Sequence, residues 1–243
     1  MLTDKEKQEY LTLLAVDQSD SPVGSGYLSR ELRNYGWDVS EATAGRVLAG
    51  YDNMGYTIKV GFQGRILSEQ GKEKLLELEE KKHRFDQGYE FFRILETKTP
   101  EELIDILIAR RGIEREIARL AALNATAEEI KELWQIQNLQ EKRISNSKTG
   151  AAEQDVAFHR VLAKASRNKV LAAAMNLIRQ DAQLTPVFEY VRVEVHSVVA
   201  LDHARIARAI ESRDPDMAEN AMVEHIENIM RDVKKYWDRV NNK

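Results

Sequence analysis

A chain of 243 residues is too long for one small module and long enough for two domains that each bury a core. With 36 basic against 40 acidic residues the net charge is −4, which excludes a general positive field, so any nucleic-acid contact must come from a local arrangement. There is no cysteine, so disulfides, thiolate metal sites and thiol catalysis are excluded, and a metal could be held only by His, Asp or Glu.

The opening MLTDKEKQEY has neither a basic n-region nor an apolar h-region, and no later run is apolar enough to span a bilayer. A soluble cytoplasmic protein without a membrane partner is expected. Most of the twelve glycines precede residue 90, so turns are expected early and helices thereafter.

Leu11, Leu14 and Ala15 recur at helical spacing and predict a first helix from Thr3 to Val16. Leu28 and Leu32, four apart and followed by Gly36, predict a second from Ser25 to Tyr35. Ser40 is an N-cap residue for a third, which runs through Val47, Leu48 and Tyr51 to Gly55. The alternating YTIKV, the glycine-bounded GFQG and RILS then predict a two-stranded hairpin.

This order is that of a winged helix-turn-helix, whose third helix enters the major groove. Ser40, Thr43 and Arg46 on that helix, Arg30 on the second, and Lys59, Gln63 and Arg65 about the wing are the residues expected to meet double-stranded DNA. Hydroxyls and backbone N–H groups at a helix start suit phosphate oxygens, and arginine can also fork onto a guanine edge.

The charged run EQGKEKLLELEEKK predicts a solvated helix over residues 68–82, with Leu75, Leu76 and Leu78 inward. The winged-helix domain is thus expected over 1–82, a linker over 83–97 and a helical domain over 98–243. Thr99-Pro100, an N-cap followed by proline at the first helical position, opens that domain with a helix to about Asn124. Helices are expected over 127–145, 150–166, 168–183, 186–212 and 215–240, with Asn168 and Asp214 as caps. The fold class is therefore mainly α, a winged helix followed by an antiparallel all-α bundle.

Four of the five histidines lie in this bundle: His159, His196, His203 and His225. Asp155 and His159, four residues apart, share one helical face. His203 shares a stripe with Ile206 and Ile210, and His225 with Ala218, Met222 and Ile229, so both rings are expected to point inward. One carboxylate and three imidazoles from three helices suit a divalent metal with open positions, whereas the same pattern also describes satisfied core histidines. Zinc is the default ion, with nickel and manganese as alternatives.

The segments EQDVAFHRVLAKASRNKVL and LDHARIARAIESRDPDMAENAMVEHI, with ARRGIEREIARLAA near the domain start, resemble the FCD (fatty-acid-regulator C-terminal) sensor domain of GntR regulators. The resemblance spans about residues 98–243. It implies that Asp155, His159, His203 and His225 bind a divalent metal and that a small organic acid completes its coordination. Arg110 is then a candidate for the acid's carboxylate, with His196 lining the same pocket.

Residues 24–71, with LSREL, GWDVSEATAGRVL and GFQGRILSEQG, resemble the winged helix of ribonuclease R and of archaeal nitrogen regulators. The usual GntR reading head is not recognisable. Together the resemblances imply a homodimeric, effector-responsive regulator of operator DNA and not an enzyme. A metal-dependent enzyme and a non-sensing helical adaptor are the competing classes.

Overall fold

The computed structural model describes residues 2–96, 99–146, 152–179, 181–195 and 200–241. It divides into two compact units, residues 1–94 and 95–243.

In the first unit, helix α1 (Asp4–Asp17) starts at a capping box in which Thr3 accepts from the Glu6 N–H and Glu6 accepts from the Thr3 N–H. Helix α2 (Ser25–Asn34) ends where Gly36 adopts φ +79°. Ser40, the N-cap of α3 (Glu41–Asn53), accepts from the Thr43 N–H. Leu13, Leu28, Leu32, Ala44 and Leu48 are fully buried between these helices.

Strands β1 (Thr57–Val60) and β2 (Gly64–Leu67) pair antiparallel, Lys59 opposite Arg65. Val23 joins the outer edge of β2 through two backbone hydrogen bonds with Arg65. That junction demands glycine at 64, where φ is +138° and a Cβ would lie 2.6 Å from the Val23 carbonyl.

Helix α4 (Glu69–Leu95) is longer than the periodicity implies: residues 83–95, read as a linker, are helical. Leu75 and Leu78 point inward as expected, whereas Leu76 is 57% exposed. It lies about 100° round the helix from Leu75, outside the buried stripe.

In the second unit, α5 (Pro100–Asn124) opens with the Thr99/Glu102 capping box and Pro100. Helices α6 (Ala127–Asn146) and α7 (Ala152–Ala165) follow. Asn168 accepts from the Val170 and Leu171 N–H groups and so caps α8 (Lys169–Arg179). Asp214 accepts from the Met217 N–H and caps α11 (Pro215–Asn241). Helix α11 packs along α5, and Leu107, Ile117, Phe158, Leu162, Ile206, Met222 and Ile226 form the centre of the core. No described helix is long and apolar enough to cross a membrane.

Two expected boundaries differ. The stretch read as one helix over 168–183 is described as α8 (Lys169–Arg179) and the start of α9 (Asp181–Glu194), and the stretch read over 186–212 as α9, which turns at Val195, and α10 (Ala200–Glu211). Pro186 lies inside α9 and does not start it. A proline inside a helix removes one N–H bond and crowds the carbonyl four residues back, and here the packing of Leu184, Phe188 and Val191 offsets that cost and overrides the local signal.

Candidate metal centre

Three helices deliver four side chains to one point. Asp155 and His159 come from successive turns of α7, His203 from α10 and His225 from α11, and one ligand atom from each lies within 4.8 Å of all the others. A cation with bonds of about 2.0–2.2 Å holds its donors roughly 3–4.3 Å apart, so closure on an ion requires shifts of only tenths of an ångström. The three rings are fully or almost fully buried, and among the described residues the Nε2 atoms of His159, His203 and His225 all lack a hydrogen-bond partner. Three unpartnered buried nitrogens beside a carboxylate are costly as core packing and are what a cation would satisfy.

The outer nitrogens explain the orientation of the rings. His159 Nδ1 lies 2.5 Å from Glu114 Oε2 on α5, a close contact rather than an aligned hydrogen bond. His203 Nδ1 lies 2.8 Å from Gln140 Oε1 on α6, and Phe158 stacks on the ring with centroids 4.3 Å apart. His225 Nδ1 lies 3.4 Å from Asp202 Oδ2 on α10, and Asn228 donates to the other oxygen of Asp202. Each histidine thus has an acceptor behind it that favours a proton on Nδ1 and leaves Nε2 as the electron-pair donor.

Asp155 divides its oxygens in the same way. Oδ2 accepts a 2.6 Å bond from Arg179 Nη2, while Oδ1 lies 3.4 Å from His203 Nε2 and 3.9 Å from His159 Nε2. Glu114 ties the surroundings together, accepting from Arg110 Nε at 2.7 Å and from Arg179 Nη1 at 3.5 Å.

Burial pushes the Glu114 and Asp155 carboxyls up, but neighbouring charge outweighs it and holds both well below the usual range: Arg110, His159 and Arg179 act on Glu114, and Arg179 with the two histidines on Asp155. The histidines move the other way. Burial, reinforced by Arg179, lowers His159 to about 4 against the pull of Glu114. Burial lowers His225 to about 3 against Asp202. Both are therefore neutral and competent to ligate across the physiological range.

These shifts set a pH dependence. In metal-stripped protein each ring stays neutral when folded but takes up a proton near the ordinary histidine value when unfolded. Stability is therefore complete above about pH 6.5 and falls as pH drops toward the folded values of about 4 and 3. At pH 5 each ring is expected to cost about 2 kcal/mol, from 1.36 kcal/mol per pH unit over roughly 1.5 units. Urea unfolding at pH 7.5 and pH 5, followed by the fluorescence of Trp134 and Trp237 on the core of this unit, measures it. A midpoint unchanged between the two would contradict the burial of neutral imidazoles.

The sequence candidates divide accordingly. Asp155, His159, His203 and His225 come together. Arg110 is buried beside them, but its Nε is committed to Glu114 and its guanidinium sits 5.7 Å over the Phe188 ring. His196 lies outside the described residues. Arg30, Arg46, Lys59 and Gln63 are exposed on the winged helix, Ser40 and Thr43 form the start of α3, and Arg46 Nη2 reaches Thr43 Oγ1 at 3.3 Å. Arg65 differs from expectation: Asp52 on α3 takes its Nε at 2.9 Å and also accepts from Thr57 Oγ1, so this guanidinium clamps the wing to α3 and is mostly buried.

Glu114, Gln140, Arg179, Arg192 and Asp202 escaped the sequence reading. Glu114 had a signal, one turn after Arg110 on the same face. Gln140 and Arg179 reach the site only because separate helices cross there.

Comparison with known proteins gives two family matches. Residues 105–228, about half the chain, match the FCD domain, and residues 10–75 match the ribonuclease R winged-helix domain. The Uxu operon transcriptional regulator of Escherichia coli (strain K12) is 31% identical over 133 residues, 51% of each chain. The putative L-lactate dehydrogenase operon regulatory protein of the same organism is 30% identical over 141 residues, 56% of this chain and 54% of that one. The chain spans about half the length of the curated relatives it matches. A solved structure, Streptococcus agalactiae GntR, aligns over 93% of this chain and 98% of its own with a TM-score of 0.47 at 20% identity.

Proposed function

Because the chain belongs to the FCD-domain family, we propose that it is a GntR-type transcriptional regulator that binds operator DNA through its winged helix and senses a small organic acid through a divalent metal in its C-terminal bundle. The observation that carries this reading is the set of three buried, unpartnered imidazole nitrogens facing one carboxylate oxygen. Asp155, His159, His203 and His225 are the ligands in this reading, and zinc is the ion that three nitrogens and one oxygen suit. A bound metal supplies a Lewis-acidic centre that an incoming carboxylate can reach. The chain's own residues hold the rings in one tautomer, keep Asp155 ionised and exclude water.

The relatives are named as regulators of operons, among them one for an L-lactate dehydrogenase, which supports regulation rather than catalysis and a small acid as the signal. An operator-binding protein works in the cytoplasm, and reading two half-sites calls for a homodimer. The acid shifts the DNA-binding equilibrium only by its differential affinity for the two arrangements of the dimer. Domain roles follow the division at about residues 82–98, with the winged helix before it and the sensor after.

At the winged helix, Ser40, Thr43 and Arg46 present the start of α3 to DNA, flanked by Arg30, Lys59 and Gln63, while Arg65 serves by holding the wing in place. Arg46→Ala is expected to weaken binding to the promoter of the protein's own operon about tenfold, in line with roughly 1–3 kcal/mol for one base-edge or phosphate contact. Fluorescence anisotropy across a salt series reads the loss. Promoter affinity that is equal for the variant and wild type, or that does not vary with salt, would count against this interface.

A further inference from the structure

Arg192, on α9, is a charged side chain in an unusual position. It is only 6% exposed, yet its Nε and Nη2 atoms have no hydrogen-bond partner among the described residues. The nearest carboxylate oxygen, Asp232 Oδ2, is 3.9 Å from Nε, beyond hydrogen-bond reach, and is itself without a partner. A buried guanidinium left with open donors is costly unless something else receives them.

Its electrostatic surroundings locate it. The carboxylates acting on it are Asp155, Asp232 and Asp202, and Arg110 is its cationic neighbour. Asp232 follows His225 by two turns of α11, and Phe188, one turn before Arg192 on α9, lies 5.7 Å under the Arg110 guanidinium, so Arg192 borders the same site. The other two buried arginines there are engaged: Arg110 donates Nε to Glu114, and Arg179 donates to Asp155 and Glu114. Arg192 brings two donors, Nε and Nη2, that are buried and open among the described residues.

We infer that Arg192 receives the far end of the effector, so that the ligand is a small organic acid with oxygen acceptors at both ends, one carboxylate directed to the metal and a second carboxylate or hydroxyl group directed to Arg192. This rests on the metal-sensor reading above and adds to it the selection of two-ended over one-ended acids. Arginine suits the task because its planar fork offers parallel N–H donors to a carboxylate or a pair of hydroxyls.

Zinc-loaded full-length protein titrated calorimetrically with acetate, L-malate and D-gluconate tests it. Wild type is expected to bind malate or gluconate at least about tenfold more tightly than acetate, and which of the two wins tells a carboxylate far end from a hydroxylated one. Arg192→Met should bring the preferred acid to within about threefold of acetate with zinc stoichiometry unchanged, and Arg192→Lys should restore part of the difference. Asp232→Asn should keep the preference, since in this account Asp232 is not what Arg192 serves.

No preference in wild type, or a preference that survives Arg192→Met, would overturn the inference. Failure of wild type to retain zinc would strike the metal reading instead. The same three acids compared by thermal shift in zinc-free protein would then decide Arg192 by the same two criteria.

Discussion

Replacing His203 by alanine is expected to lower metal retention from about one ion per chain to below about a tenth, with an apparent affinity loss of at least about 100-fold. The ring is fully buried, its Nε2 lies 3.4 Å from Asp155 Oδ1 with no hydrogen-bond partner among the described residues, and its Nδ1 is anchored 2.8 Å from Gln140. Elemental analysis after gel filtration reads the stoichiometry. His83→Ala, on the exposed part of α4, is the control that should change nothing. Because removing a ring stacked on Phe158 also opens a void, the informative quantity is the stabilisation added by metal and not stability itself. Zinc at about a thousand times its dissociation constant adds roughly 4 kcal/mol to wild type, and that increment should vanish in the variant. Unchanged metal content in both His203→Ala and Asp155→Ala would remove the site.

The second large effect is expected at a residue that ligates nothing. Glu114→Ala should destabilise the C-terminal unit by about 3–5 kcal/mol, the cost of stripping a buried ion pair of one partner. Glu114 is 1% exposed and faces Arg110 at 2.7 Å, Arg179 at 3.5 Å and His159 at 2.5 Å. Its loss leaves two buried cations short of a counter-charge and frees His159 to turn. Adding Arg110→Met to Glu114→Ala should recover part of the stability, since one stranded charge is then gone. Urea unfolding followed at Trp134 and Trp237 measures both variants. A loss under about 1 kcal/mol would mean that solvent reaches these arginines. A metal affinity lowered about 10–100-fold in the milder Glu114→Gln variant would separate its effect on His159 from its effect on stability.

The winged helix shows what local signals carry and where they stop. Thr3, Ser40, Thr99, Asn168 and Asp214 all cap helices, and the glycines about residues 61–64 form the wing turn, because capping and turn chemistry depend on a few neighbouring residues. Pro186 misled for the complementary reason. Its local preference is a helix start, but the packed neighbours of α9 make the lost hydrogen bond tolerable. Arg65 misled because a basic residue on a wing reads as a DNA contact, while Asp52, thirteen positions earlier, claims it.

Helix order, the wing and the four candidate ligands are thus properties of the sequence by itself, since periods of 3.6 and 2 and the i, i+4 pairing of Asp155 with His159 are written into short stretches of chain. Which oxygen stands behind each histidine ring, and which buried arginine donors meet a carboxylate, were decided only in three dimensions. Gln140 and His203 are 63 residues apart, as Glu114 and Arg179 are 65 apart. Such pairs meet only through the rotation and crossing of helices packed around a shared core, and no pattern along a single helix encodes that rotation.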